Sequence, residues 1–148
     1  MVEYVVKERT KTPWHLWVVG VLALLWSAGA ALDYTATKLE IEGYMSQFTQ
    51  EQLDYFYGFP VWMVTAWACA VWGSVAASLM LLLRRAWALP LYGLSIVGLF
   101  VSSIYSLVLS NGMDIMGTEG AIFTAVIWVI TIALYYYARR MVKRRVLI

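Results

Sequence analysis

Four stretches of this chain contain no Asp, Glu, Lys or Arg: residues 12 to 32, 55 to 83, 86 to 113 and 120 to 138. A helix crossing a hydrocarbon layer needs about 20 consecutive residues without a costly ionised group, so each stretch is long enough for one passage. With 62% hydrophobic and only 14% charged residues, the chain lies far outside the balance of soluble domains. Its 148 residues allow a single compact unit. The expected fold is therefore all-α: an integral membrane four-helix bundle forming one membrane domain over 1–148.

The helix breakers agree with the gaps. Pro13, Pro60 and Pro90 stand near the starts of three of them, where the first helical turn has no amide bond to lose. Asn111-Gly112 is expected to end the third helix. Gly117-Thr118-Glu119 then announces the fourth with a hydroxyl cap and a carboxylate suited to the positive helix end. The predicted spans are about 14–33, 60–83, 88–110 and 119–138.

Orientation follows from the basic residues, which are retained in the cytoplasm during insertion. Lys7, Arg9, Lys11, Arg84, Arg85, Arg139, Arg140, Lys143, Arg144 and Arg145 fall on one side of this layout, and only Lys38 falls on the other. Asp33, Glu40, Glu42, Glu51, Asp54, Asp114 and Glu119 accompany Lys38. Both termini are thus expected inside. The basic cytoplasmic tail, 139–148, is expected to attract anionic lipid headgroups rather than nucleic acid. A cleavable signal is the competing account of the first segment, because Ala28-Gly29-Ala30 resembles a cleavage site; we read that segment as a membrane helix.

Trp14, Trp17, Trp87 and Tyr135-Tyr136-Tyr137 mark the inner headgroup level, and Tyr34, Phe59 and Trp62 the outer. Trp67, Trp72 and Trp128 lie deeper, where packing between helices is the ordinary reading and a stacking surface for a solute the sharper one. Small residues at four-residue spacing let helix backbones approach. Ala66, Ala70, Ser74 and Ser78 form one such row and Gly98, Ser102, Ser106 and Ser110 another, so both faces are expected to be buried against protein. In the outer loop, Thr49-Gln50-Glu51-Gln52 has capping-box spacing. It predicts a short amphipathic helix over about 49–57, with Leu53, Phe56 and Tyr57 on its apolar face, lying along the membrane surface or over the bundle mouth. Leu81-Leu82-Leu83-Arg84-Arg85 and Tyr135-Tyr136-Tyr137-Ala138-Arg139-Arg140 end two helices alike at an offset of 55 residues, which would make the halves parallel hairpins.

Chemistry is sparse. One His and one Cys are too few for an ordinary metal or haem site, so no metal and no cofactor are expected. His15 reads as an interfacial ring and Cys69 as a buried thiol. No phosphate loop, nucleotide fingerprint or nucleophile elbow occurs, and the middle of every gap is uncharged, which argues against proton-coupled export through a central acid. No catalytic residue is assigned, and the expectation is that the chain is not an enzyme. The one candidate solute or outer-rim site gathers Asp33, Tyr34, Trp67, Trp72, Tyr105, Asp114 and Glu119.

Several motifs together resemble a known family. Phe48-Thr49 leading into Glu51-Gln52-Leu53, Phe59-Pro60 with Trp62, Trp72-Gly73, Leu82-Leu83-Arg84-Arg85 followed by Trp87-Ala88 and Pro90, and Ala138-Arg139-Arg140 are similar to small four-helix bacterial inner-membrane proteins often named sugar transporters by homology. The resemblance implies the bacterial inner membrane and solute handling, and brings no functional residues with it. The leading expectation is a non-catalytic subunit, an oligomerising or accessory member of a membrane complex. The alternative is a facilitator for a small neutral solute such as a sugar, which would need an oligomer and which an inner cavity lined by Trp67, Trp72 and serines would favour. Accessibility labelling is expected to place Arg84 and Arg145 on the same side of the membrane, and finding them on opposite sides would remove the four-pass layout.

Overall fold

The computed structural model describes residues 10 to 148, so Lys7 and Arg9 of the inner basic group lie outside the described residues. The described chain is all-helical. Helices α1 (Trp14–Lys38), α2 (Glu42–Met45), α3 (Gln50–Tyr57), α4 (Val61–Leu82), α5 (Ala88–Ile104) and α6 (Gly112–Lys143) follow in order, with a π-helical turn, Tyr105–Leu109, continuing α5. Among the described residues, four helical segments are long and apolar enough to cross a membrane: Trp14–Lys38, Val61–Leu82, Ala88–Leu109 and Gly112–Lys143.

These four run up and down. Leu82 lies against Gly20, Ser74 bonds Ser27, and the ring of Trp67 meets Tyr34, which makes α4 antiparallel to α1. Gly98 faces Ala66 and Ala70 while Gly73 faces Leu91 and Ser95, so α5 returns beside α4. The Trp128 indole donates to Ser103 Oγ and Gly93 faces Tyr135, so α6 runs back along α5. Lys11, Arg84, Arg85 and the 139–145 basic residues consequently gather at one end. Lys38 and the seven acids from Asp33 to Glu119 gather at the other.

The tightest contact is between α4 and α5. A methyl group added at Gly98 would meet the Ala66 carbonyl oxygen at 2.5 Å and the Ala70 amide nitrogen at 2.7 Å, so the two backbones touch there. Ser95 Oγ donates to the Ala70 carbonyl at 2.7 Å. On the neighbouring face of α4, Ser27 and Ser74 share a hydrogen bond of 2.8 Å, and Ser78 bonds the Tyr92 hydroxyl at 3.0 Å. Hydroxyl contacts of this kind contribute about 0.6 kcal/mol each in apolar bundles, with dispersion between close backbones adding to them.

The small-residue row of α4 meets neighbours within the chain, with Ala66 and Ser78 buried and Ala70 and Ser74 half-buried, and it serves two partners. Residues four apart advance about 40° beyond a full turn of a helix with 3.6 residues per turn. Over three steps the row winds from α5, at Ala66 and Ala70, to α1, at Ser74, with Ser78 between the two helices, 3.0 Å from the Tyr92 hydroxyl and 3.4 Å from Ser27 Oγ. On α5, Gly98 meets α4, while Ser102 donates to its own helix at Gly98 O and, with Ser106, lines an open space. Tyr92, Ser95 and Gly98, three apart, form the buried edge.

Several boundaries also differ from expectation. Helix α1 continues to Lys38, past Asp33, because an ionised side chain ends a hydrocarbon-compatible stretch without breaking the helix's internal bonds. Gly112 begins α6 instead of ending α5, and the expected helix start near residue 118 is a break at Gly117, with φ 70° and ψ −165°, a conformation open essentially to glycine alone. The stretch 139–148 is not a free tail. It is helical to Lys143, and Val146 and Leu147 then turn under the bundle to join Leu16, Leu81, Tyr92 and Met141 in the core. Ile148 accepts from the Ala86 amide at 3.1 Å and donates to the Arg84 carbonyl at 3.2 Å. Arg84 and Arg145 both adopt positive φ just after α4 and α6, so the matching helix ends are offset by 61 residues rather than 55.

Gly98→Val is expected to lower thermal stability in detergent by about 1–3 kcal/mol through overpacking against α4. Gly29→Ala, where an added methyl meets nothing within 4 Å, is the matched control and is expected to be neutral or slightly stabilising. Equal melting temperatures for the two variants would disprove the backbone contact.

Candidate functional site

At the acidic end the bundle splays. Helix α6 packs mainly on α5 and reaches α1 through ring pairs, Trp26 with Phe123 and His15 with Tyr137. A cavity of about 250 Å³ opens among α1, α4, α5 and α6, and the chain around α3 covers it.

Local sequence explains that cover. Thr49 Oγ1 accepts from the Gln52 amide at 3.2 Å while Gln52 Oε1 accepts from the Thr49 amide at 3.1 Å, and the reciprocal pair starts α3. Tyr55 and Phe56 then face the cavity. Tyr57, expected on the apolar face, is exposed instead at 43%. Gln52 Nε2 reaches the Ile115 carbonyl at 3.5 Å and the Tyr55 hydroxyl bonds Ser110 Oγ at 2.9 Å, so α3 is pinned to the start of α6. An added methyl at Gly112 would collide with the Tyr55 hydroxyl, so only glycine lets the two elements meet this closely.

Of the seven candidate residues, the structure brings two into the cavity wall, Asp33 and Trp67. Tyr34 and Tyr105 stand behind the wall. The Tyr34 ring lies edge-on to Trp67, with centroids 4.7 Å apart at 72°, and Tyr105, on the π-helical turn, packs against Tyr55, Phe59 and Trp62. Trp72 is 48% exposed on the bundle exterior, so it is not part of the cavity. Asp114 and Glu119 are exposed on α6, on either side of the break at Gly117, and are not part of the wall to which Asp33 belongs.

Phe48, Phe56, Met113 and Met116 also line the space and were not singled out from the sequence as site residues. For Phe56 the capping-box helix was the available signal. Nothing local marks the other three, whose positions depend on how α2, α3 and α6 meet. Among the described residues no group of three or more His, Cys, Asp or Glu is placed to hold a metal.

The polar atoms of the wall are mostly engaged. Thr37, Ser102, Ser103 and Thr124 each donate to a carbonyl one turn earlier in their own helix, and Asp33 accepts a hydrogen bond from the Tyr44 hydroxyl. Burial, that hydrogen bond and the Asp33 charge, in that order, push the Tyr44 phenol from its ordinary 10.0 up to about 12.

The fold and site define a class: a multi-pass, all-α membrane protein with four spanning-length helices and a cavity at its acidic end. No protein-family model, no curated protein and no solved structure matches the chain.

Tyr44 is expected to ionise near pH 12 when tyrosinate absorbance is compared between the parent and Tyr44→Phe proteins. Asp33→Asn is expected to bring that titration only part of the way back toward 10, because burial is the larger cause. A Tyr44 titration at the ordinary tyrosine value would disprove the pair. Since the native phenol holds its proton more tightly than the unfolded one, the associated stability is full below about pH 10 and is lost as pH rises toward 12.

Proposed function

We propose that this chain is a non-catalytic, multi-pass protein of the bacterial inner membrane that binds a small solute in the cavity at its acidic end and acts as a facilitator for it. The acidic end faces outward and the basic end the cytoplasm, a reading supported by the gathering of basic side chains at the end that includes Lys11, Arg85 and Arg139 to Arg145. The observation that carries the function is the cavity itself, about 250 Å³ and walled by Trp67 together with Ser102, Ser103 and Ser106. Binding sites are typically apolar hollows with a few convergent polar groups. Trp72 lies outside the wall, so the stacking surface in this reading is Trp67 and its aromatic neighbours.

A second reading, an oligomerising or accessory subunit of a membrane complex, is favoured by α6. Its outward face exposes Ile122, Val126 and Val129, a flank that a partner helix would cover. The small-residue faces offer that reading less support, since Ala66, Ala70, Ser74, Ser78 and Gly98 are used inside the chain.

Ser102→Leu and Ser106→Leu fill the cavity while leaving the α4–α5 contact in place. Vesicles containing the full chain are expected to take up members of a panel of labelled small solutes, with at least a tenfold loss in either variant. Gentle extraction is expected to yield a homo-oligomer. Recovery only within a large assembly of other chains, without uptake, would replace the facilitator reading with the subunit one.

A further inference from the structure

We infer that the cavity takes a small organic cation of the quaternary ammonium class, held against aromatic ring faces and the Asp33 carboxylate. This rests on the solute-binding reading above and names the ligand chemistry of the same site.

The wall supplies the chemistry. Phe48, Tyr55, Phe56, Phe59 and Trp67 line it from the segment before α3, α3 itself, the loop after it and α4. Neighbouring rings of this cluster meet at 87° for Phe48 with Phe56, 57° for Tyr55 with Phe56, 64° for Phe56 with Phe59, 83° for Tyr55 with Phe59 and 89° for Phe59 with Trp67. An array of ring faces attracts a cation through the ring quadrupole, most strongly where water is excluded. Met63, Met113 and Met116 add polarizable apolar contacts.

Asp33 provides the charge. A carboxylate has about four lone-pair sites, and the Tyr44 hydroxyl occupies one of them, so Asp33 retains room for a second interaction. The surroundings reinforce it: Glu40, Glu42, Glu51, Asp54, Asp114 and Glu119 are all exposed at this end, with Lys38 the opposing cation, and a mouth of one sign concentrates ligands of the other.

The wall hydroxyls discriminate further. Thr37, Ser102, Ser103 and Thr124 spend their protons on their own helix carbonyls and so offer a guest acceptors only, which leaves Ser106 as the wall hydroxyl with a proton to donate. A sugar needs donors for its many oxygens as well as acceptors, and groups left without partners in a dry site weaken binding. An onium group has no acceptor to satisfy.

The test compares choline, its uncharged carbon isostere 3,3-dimethylbutanol, and glucose, by calorimetric titration of the full chain in detergent. Choline is expected to bind at least tenfold more tightly than the isostere. Asp33→Asn, which keeps an acceptor for Tyr44, is expected to reduce that preference at least threefold. Phe59→Leu, which keeps apolar bulk and removes a ring, is expected to do the same, and gel filtration with thermal melting establishes that each variant is folded. Equal affinity for choline and the isostere, or binding of glucose alone, overturns the cation inference and leaves the solute-binding reading standing. A choline preference unchanged in both variants overturns it as well. Binding of none of the three overturns both.

Discussion

The contact on which this bundle depends is the meeting of two backbones at Gly98. Because α5 has no side chain there, it lies directly on the carbonyl and amide of Ala66 and Ala70, close enough for Ser95 to bond across to α4. In an apolar solvent there is no hydrophobic gain from hiding one greasy helix against another, so close packing and interhelical hydrogen bonds must supply the association. Here both are concentrated along α4, which takes α5 on one face and, through Ser74, α1 on the next. Helix α6 has no such contact. It lies on α5 and is held at the basic end, where Val146 and Leu147 close the core.

That asymmetry produces the cavity. Three helices are drawn tightly together by α4 and the fourth is fixed mainly at its far end, so the space between them widens toward the acidic end. Helix α3 and its flanking aromatics fill part of the opening and bond to the start of α6 through Gln52 and Tyr55. The two unusual backbone features of this region, the π-helical turn at Tyr105–Leu109 and the break at Gly117, lie where α5 hands over to α6. The first turns Tyr105 into the aromatic layer behind the wall. The second interrupts α6 after its first turn, between Asp114 and Glu119.

Much of the architecture was legible because it follows from one-dimensional rules. Uninterrupted apolar stretches between charges located four long helices, and the Thr49 to Gln52 pattern located α3. The candidate site was legible only in part. Asp33 and Trp67 reach the cavity, but Trp72, five residues beyond Trp67 on the same helix, turns outward. Ser102 and Ser106 read as packing residues and prove to be wall residues. In each case the sequence shows which side chains share a helix face, and nothing in it states which neighbour that face will meet.

The number of long helices, their polarity along the chain and the separation of charge between the two ends were set by the sequence itself, because the cost of ionised groups in hydrocarbon acts locally and independently of packing. The partner of each face, the burial of Val146 and Leu147 under the bundle, and the gathering of aromatic rings and Asp33 around one cavity were decided only in three dimensions. They depend on angles that accumulate over several helical turns and on contacts between segments far apart in the chain, and no local spacing encodes either.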